Sequence, residues 1–253
     1  MFSFYELDLS AVWPFQPGAR IAFKNGVNQV SGEHLSGKTR LFEQLRASAL
    51  AFLAAEDTAA RLAPPEPLMF WSDHCDLPMF WRPYPPLADL IQPLRIDREQ
   101  LASDFQFAFE QVLSDRNAVL SGAYGGADSF PEFRYAVSEA GQLELTNAVT
   151  GNAVTGVLSS HTERCAIYLA LNWALRRRIP GGQIFPFVID DQLGAMDSLL
   201  LDNLSQLLRA ISRQVIVIGR PSTLVPDIAV SHCMKAEDVH GYTVVAPGTT
   251  EYL

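Results

Sequence analysis

The residues best suited to chemistry stand in two short stretches far apart in the chain. The first, "VSGEHLSGKT", contains Gly32-x-x-x-x-Gly37-Lys38-Thr39. A loop of this spacing between a strand and a helix surrounds phosphate groups with backbone N–H donors, here from Gly32 through Glu33, His34, Leu35, Ser36 and Gly37. Lys38 would neutralise the outer phosphates, and the Thr39 hydroxyl would ligate Mg²⁺. The second stretch, "IFPFVIDDQLGAMD", closes an apolar run on Asp190 and Asp191. A carboxylate at the end of a parallel strand beside such a loop holds the water shell of the metal, the role expected of Asp190. Asp191 stands where a second carboxylate could polarise an attacking water. The plainer alternatives are a capped helix start at Gly37 and a turn capped by two acids at Asp190.

These residues need a strand and a helix around the loop, and the sequence provides both. "SFYELDL" and "ARIAFKNGVNQVSG" alternate apolar and polar residues and predict an antiparallel strand pair leading into a buried strand. From Thr39 to about Ala60, "TRLFEQLRASALAFLAAEDTAA" keeps helical spacing without Gly or Pro. "QIFPFVIDD" and "QVIVIG" read as buried parallel strands, the first starting after Pro186, joined by the helix "MDSLLLDNLSQLLRAISR". "SSHTERCAIYLALNWALRRR" predicts a further helix, and "FRYAVSEAGQLELTN" a hairpin turning at Ala140-Gly141. A helix is expected in "DREQLASDFQFAFEQVLSD", followed by a glycine-rich turn, "SGAYGGADS". Residues 63–95 hold eight of the sixteen prolines and two of the four tryptophans, so neither a regular helix nor a central strand is expected there. That segment reads as a loop-rich insert packed by its aromatics, or as a surface for a partner or for stacked bases.

The chain of 253 residues is 48% hydrophobic, enough for a buried core, and its net charge of −9 provides no global field for nucleic acid. Any DNA contact must be a local patch; "RRR" at 176–178, Lys24 and Arg46 are the candidates, although the three arginines equally suit a helix C-terminus. Cys75, Cys165 and Cys233 are scattered and odd in number, giving no disulfide framework or paired metal spacing. With no apolar run of membrane length and no leader pattern, a cytoplasmic protein without membrane contact is expected.

The order of these elements resembles the ABC-type ATPase head of the SMC, RecF and RecN superfamily over nearly the whole chain. "IAFKNGVNQVSGEHLSGKT" is similar to its opening strands and Walker A. "GQLELTNAVTGNAVTGVLSSHTERCAIYLALNWAL" resembles the strand pair, signature and signature helix; "FVIDD" stands as Walker B, "GAMD" as the D-loop ending in Asp197, and "QVIVIGRP" as the strand before the switch position. The resemblance implies an α/β P-loop NTPase with a parallel core sheet, an antiparallel β lobe and a helical signature subdomain. It implies one head: a Walker A lobe at 1–62, the insert and helical region at 63–130, and signature, Walker B, D-loop and switch strand at 131–253. It also implies ATP and Mg²⁺ bound between two subunits, with Ser159 and Ser160 reaching the γ-phosphate across the interface. Gln92 or Gln106 would be the metal-contacting Q-loop glutamine.

Three departures from the family pattern carry weight. His161 replaces the signature glycine, so a side chain stands where backbone should approach phosphate. Asp191 replaces a catalytic glutamate and is one methylene shorter, moving the carboxylate by about 1.5 Å where small misplacements cost on the order of 100-fold. Arg220 occupies the switch-histidine position; it can stabilise γ-phosphate charge but cannot relay a proton at neutral pH. The segment from Thr39 to Leu158 is too short for long coiled-coil arms and lacks sustained heptads. The expectation is a compact, armless, slowly hydrolysing head, homo- or heterodimeric, acting in DNA maintenance, repair or defence. The alternative is a weakly catalytic switch subunit assembling with a partner protein at the Pro/Trp-rich insert.

Overall fold

The computed structural model describes residues 2–64, 66–72, 96–124, 133–137, 143–147, 161–196, 198–226, 228–236 and 242–248. In chain order the elements are β1 (Glu6–Asp8), β2 (Arg20–Ala22), β3 (Gly26–Gly32), α1 (Lys38–Ala55), α2 (Asp57–Leu62), α3 (Glu66–Met69), β4 (Phe70–Ser72), α4 (Arg98–Tyr124), β5 (Phe133–Val137) and β6 (Leu143–Asn147). Then come α5 (His161–Arg178), β7 (Phe187–Asp190), α6 (Ser198–Ile211), β8 (Gln214–Gly219), β9 (Val230–Ala236) and β10 (Thr243–Pro247).

The apolar runs assemble into one six-stranded sheet of order β10-β9-β3-β8-β7-β4, parallel except for β10. Strand periodicity divides its side chains between two cores. Val215 and Val217 of β8, Phe187 and Ile189 of β7, and Trp71 of β4 meet α4, α5 and α6 on one face. Their neighbours Ile216, Ile218, Val188 and Phe70 meet Leu41, Phe42 and Leu45 of α1 and the apolar residues of β1 and β2 on the other. A strand buried on both faces needs apolar residues at successive positions, which is why "FVI" and "VIVI" read as continuous runs. The antiparallel pairs β1–β2 and β5–β6 form as expected; the turn expected at Ala140-Gly141 lies outside the described residues.

Three sequence readings differ from the structure. The helix from Thr39 breaks at Glu56, which leaves helical geometry with φ −119° and ψ 88°. Asp57 then opens α2, where a carboxylate suits the N-terminus and pairs with Arg61 at 2.6 Å. The helix α4 runs on to Tyr124, absorbing the start of the expected turn; a single Gly122 inside a helix costs only about 1 kcal/mol. The largest correction is β4: Phe70–Ser72 within the Pro-rich segment is a fully buried strand, paired with β7 from Phe70↔Val188 to Ser72↔Asp190. Its entry is fastened from α5, where Asn172 Nδ2 and the Nε and Nη2 of Arg176 all donate to the Leu68 carbonyl, at 3.1, 3.1 and 2.6 Å.

Candidate functional site

The parallel strands bring their carboxyl ends to one edge, the position where open α/β sheets bind ligands. Pairing sets Ser72, Asp190, Ile218, Val30 and His232 in one row across β4, β7, β8, β3 and β9. The loop Glu33–Gly37 leaves β3 just past that row and turns directly into α1.

Two residues of the loop have left-handed backbones, Leu35 at φ 65° and Gly37 at φ 82°. Gly37 is the natural residue for that geometry, and a Cβ on it would also meet Pro14 Cγ at 3.1 Å. At Gly32 a Cβ would lie 2.3 Å from Ser36 Oγ and 3.1 Å from Lys38 Cγ, so any larger residue must displace the two side chains that fill the turn. Ser36 is 1% exposed, and its hydroxyl has no hydrogen-bond partner. The 18-residue α1 begins without a side-chain cap and without an acidic residue in its first turn, leaving its positive end uncompensated.

Lys38 folds back over the loop, its Nζ donating to the carbonyls of Gly32 at 2.8 Å and Glu33 at 2.7 Å. Burial draws its pKa below the usual lysine value, against the pull of Asp191; Arg220 adds to the depression and Asp190 opposes it. The lysine near the amino end and the two aspartates past the midpoint thus share one electrostatic site. Asp190 is buried at 7% exposure. Asp191 sits in a left-handed turn, φ 52°, its N–H held by the Ile218 carbonyl at 2.8 Å. Its Oδ2 accepts from Nε of Arg220 at 3.2 Å. Arg220, expected at the switch position, is therefore joined to Asp191, the expected catalytic acid.

These residues fit a magnesium-bound triphosphate. The loop offers an orphaned buried hydroxyl at Ser36, a cradle that a Cβ would fill at Gly32, and an ammonium bound only to carbonyl oxygens. Thr39 is exposed in the first turn of α1, and Asp190 supplies the hard oxygen donor that Mg²⁺ prefers. His34 and Glu33 are exposed on the loop.

Of the remaining predicted residues, Gln92, Ser159, Ser160 and Asp197 lie outside the described residues, and His161 is the first residue of α5. Gln106 is on α4, where its amide donates to Glu110 of the same helix at 2.9 Å. Two of the three arginines of the "RRR" cluster are engaged within the molecule, and Arg177 is exposed. Arg176 is 1% exposed and also donates to the carbonyls of Gly182, Phe185 and Pro186, while Arg178 pairs with Asp104 at 2.5 Å. Arg177 lies 4.6 Å from the Trp173 ring centroid, and Arg46 pairs with Glu66.

Sequence reasoning missed two residues near the site. Ser72 ends β4 beside Asp190, and nothing in its proline-rich surroundings signals a strand. Gln29, fully buried in β3, accepts from the Val225 N–H at 2.7 Å and donates to the carbonyls of Val225 at 3.0 Å and Ile228, tying the segment after Arg220 to the strand that carries the phosphate loop. With Asn28 before it and Ser31 after it in a strand that has only two valines, nothing in the sequence marks Gln29 as buried.

No protein-family model matches the sequence, and no curated protein matches it significantly. Solved structures do. An SMC head bound to the C-terminal winged-helix domain of ScpA superposes with a TM-score of 0.61 at 14% identity, covering 92% of this chain and 93% of that one. The SMC head domain from Thermotoga maritima superposes with a TM-score of 0.50 at 11% identity, covering 93% and 95%. Among the described residues, no helix is long and apolar enough to cross a membrane. A parallel sheet with a phosphate-type loop at its carboxyl edge, matched end to end by these heads, gives the chain the fold of an SMC-type ATPase head.

Proposed function

We propose that this chain binds ATP with Mg²⁺ between the Gly32–Thr39 loop and Asp190, hydrolyses it slowly, and uses the bound state to pair with a second head. The observation that carries this reading is the strand register that sets Asp190 of β7 in one row with Val30 of β3, at the start of the Gly32–Thr39 loop, with Asp191 bonded to Arg220 beside it, residues more than a hundred positions from Lys38 in sequence. Mg²⁺, when bound, supplies charge neutralisation at the phosphate oxygens. Lys38 exchanges its loop carbonyls for phosphate, the stronger charge-assisted partner. The orphaned Ser36 hydroxyl and the loop N–H groups take further oxygens. Asp191 orients the attacking water only when its bond to Arg220 opens, and Arg220 then meets γ-phosphate charge. A short acid already held by an arginine favours slow turnover. Ser159, Ser160, His161 and Asp197 would face the nucleotide of the second subunit, homo- or heterodimeric, and Gln92 the metal.

The biological reading we infer is ATP-gated assembly in chromosome maintenance, repair or defence. Direct DNA contact has limited support, because Arg176, Arg178 and Arg46 are engaged within the protein. That same observation favours the second reading, a switch subunit that holds a partner protein when ATP is bound. Calorimetry with ATP and Mg²⁺ tests the central claim: the native chain should release heat on binding, and Lys38→Ala should abolish it. Asp191→Asn should retain nucleotide and accumulate the paired form in light scattering. Unchanged affinity in Lys38→Ala would remove the pocket; undiminished turnover in Asp191→Asn would remove Asp191 from the mechanism.

A further inference from the structure

Ser72 ends β4 at the nucleotide edge, and the alternation of side chains along the strands fixes which way it faces. On β7, Phe187 and Ile189 belong to the core shared with α4, α5 and α6, whereas Val188 belongs to the core shared with α1. Asp190, two residues past Val188, therefore lies on the α1 face. On β4, Trp71 belongs to the first core and Phe70 to the second, so Ser72 returns to the α1 face beside its register partner Asp190. Ser72 is 1% exposed and is the one polar residue of this buried strand, placed where the strand reaches the edge.

The helix α1 brings a third oxygen to the same place. Phe42 of α1 packs edge-on against Phe70 of β4, with ring centroids 5.9 Å apart. From that contact Thr39 lies three residues back toward the phosphate loop, about 4.5 Å along the helix, and Ser72 lies two residues on toward the carboxyl edge, about 6.6 Å along the strand. Both displacements lead to the edge, which sets Thr39 and Ser72 at similar height with Asp190 on the strand beside Ser72. Gln106, by contrast, is carried by α4 on the opposite face of the sheet, and its amide is engaged with Glu110. The strand β4 is also held in register at its entry, where Asn172 and Arg176 of α5 donate to the Leu68 carbonyl, so Ser72 is presented from a rigid element as a ligand should be. Hydroxyl and carboxylate oxygens are the hard donors that Mg²⁺ takes.

We propose that the Ser72 hydroxyl is a ligand of the nucleotide-bound Mg²⁺, forming with Thr39 and Asp190 a set of three oxygens around the metal supplied by β4, α1 and β7. This role presupposes the nucleotide binding proposed above and adds a residue to it. Calorimetric titration of the full chain with ATP in Mg²⁺, in Cd²⁺ and in EDTA tests it. Ser72→Ala should weaken ATP binding about tenfold or more in Mg²⁺ and leave it unchanged in EDTA. Ser72→Cys exchanges a hard oxygen for a soft sulfur, so it should bind ATP weakly with Mg²⁺ and recover toward native affinity with Cd²⁺, a recovery that Ser72→Ala lacks. A serine that only closes β4 would shift the thermal midpoint of both variants without altering the choice of metal. Should the thiol disturb packing, a lowered midpoint of Ser72→Cys reveals it, and the contrast between Mg²⁺ and EDTA in Ser72→Ala decides. Failure of the native chain to bind ATP with Mg²⁺ would overturn the nucleotide reading and this role with it. Native binding alongside a Ser72→Ala variant that keeps full affinity in Mg²⁺, or loses it equally in EDTA, would overturn the role of Ser72 alone, as would a folded Ser72→Cys variant indifferent to Cd²⁺.

Discussion

Gly32 and Leu35 place opposite demands on the phosphate loop. A methyl group at Gly32 collides with Ser36 Oγ and crowds Lys38, so Gly32→Ala should lower nucleotide affinity by about tenfold or more while the sheet survives. Leu35 holds a left-handed backbone with its side chain 79% exposed, a geometry costing a branched-chain residue roughly 1–2 kcal/mol and glycine little. Leu35→Gly should therefore bind nucleotide as tightly or more tightly; calorimetry on the two variants checks the order, and a reversed order would show that the loop is not the binding element. Arg176 makes a different kind of prediction. It is fully buried, its guanidinium hydrogen-bonded to carbonyl oxygens and its cation 5.4 Å from the Phe187 ring centroid, and burial brings its pKa down to about 9 against the pull of Tyr168. Arg176→Met strands the carbonyls of Gly182 and Pro186, while Phe185 keeps the Ser212 hydroxyl and Leu68 the Asn172 amide, and should cost about 3 kcal/mol, lowering the thermal midpoint by roughly 10 °C. Arg176→Lys should fall between, because one ammonium cannot span four carbonyls.

Among elements, β3 and β9 form the joint that holds the loop. Gln29→Leu would leave the amide of Val225 and the carbonyl of Ile228 without the partners they have here, the Val225 carbonyl keeping only the Ile228 N–H, and should speed hydrogen exchange at Val225 before the rest of the sheet opens. On β9, His232 is drawn below its ordinary pKa by burial and by Lys24, and its Nδ1 is buried without a partner. The unfolded chain therefore takes up the proton more readily than the folded one, so this group adds nothing above about pH 6.5 and lowers stability as pH falls below it. Urea midpoints at pH 7.5 and 5.5 should differ more for the native chain than for His232→Gln. These joints also show where sequence reading ends. The strands β7 and β8 and the helices α1, α5 and α6 are legible because their periodicity reports burial directly. "MFWS" is not, since three residues carry no period and the strand exists because Asn172 and Arg176 seize the Leu68 carbonyl from a distant helix. The positions of Lys38, Asp190, Asp191 and Arg220 were readable from motif order; the bond between Asp191 and Arg220, and the burial of Arg176 within an apparently basic cluster, depend on tertiary geometry.

At the scale of the whole molecule, the sheet interleaves the two halves of the chain. The strands β3 and β4 come from the first half, yet they touch only strands of the second: β3 lies between β8 and β9, and β4 borders β7. The second half pairs β7 with β8 and β9 with β10, but the two pairs join into one sheet only when β3 of the first half enters between β8 and β9, so the edge that carries the Gly32–Thr39 loop exists only once both halves are present. Saturating ATP and Mg²⁺ should accordingly raise the global unfolding free energy by about 2.7 kcal/mol at a ligand concentration 100 times Kd, and the thermal midpoint with it. Thermal scans with and without nucleotide check this, with Lys38→Ala as the unresponsive control. Biosynthesis feels the same arrangement. At ribosomal speeds of about 5–20 residues per second, the strand bearing the phosphate loop must wait roughly ten to forty seconds for its neighbours to be made. During that interval its apolar flanks are open to misassembly, which makes the nascent chain a natural client for chaperones.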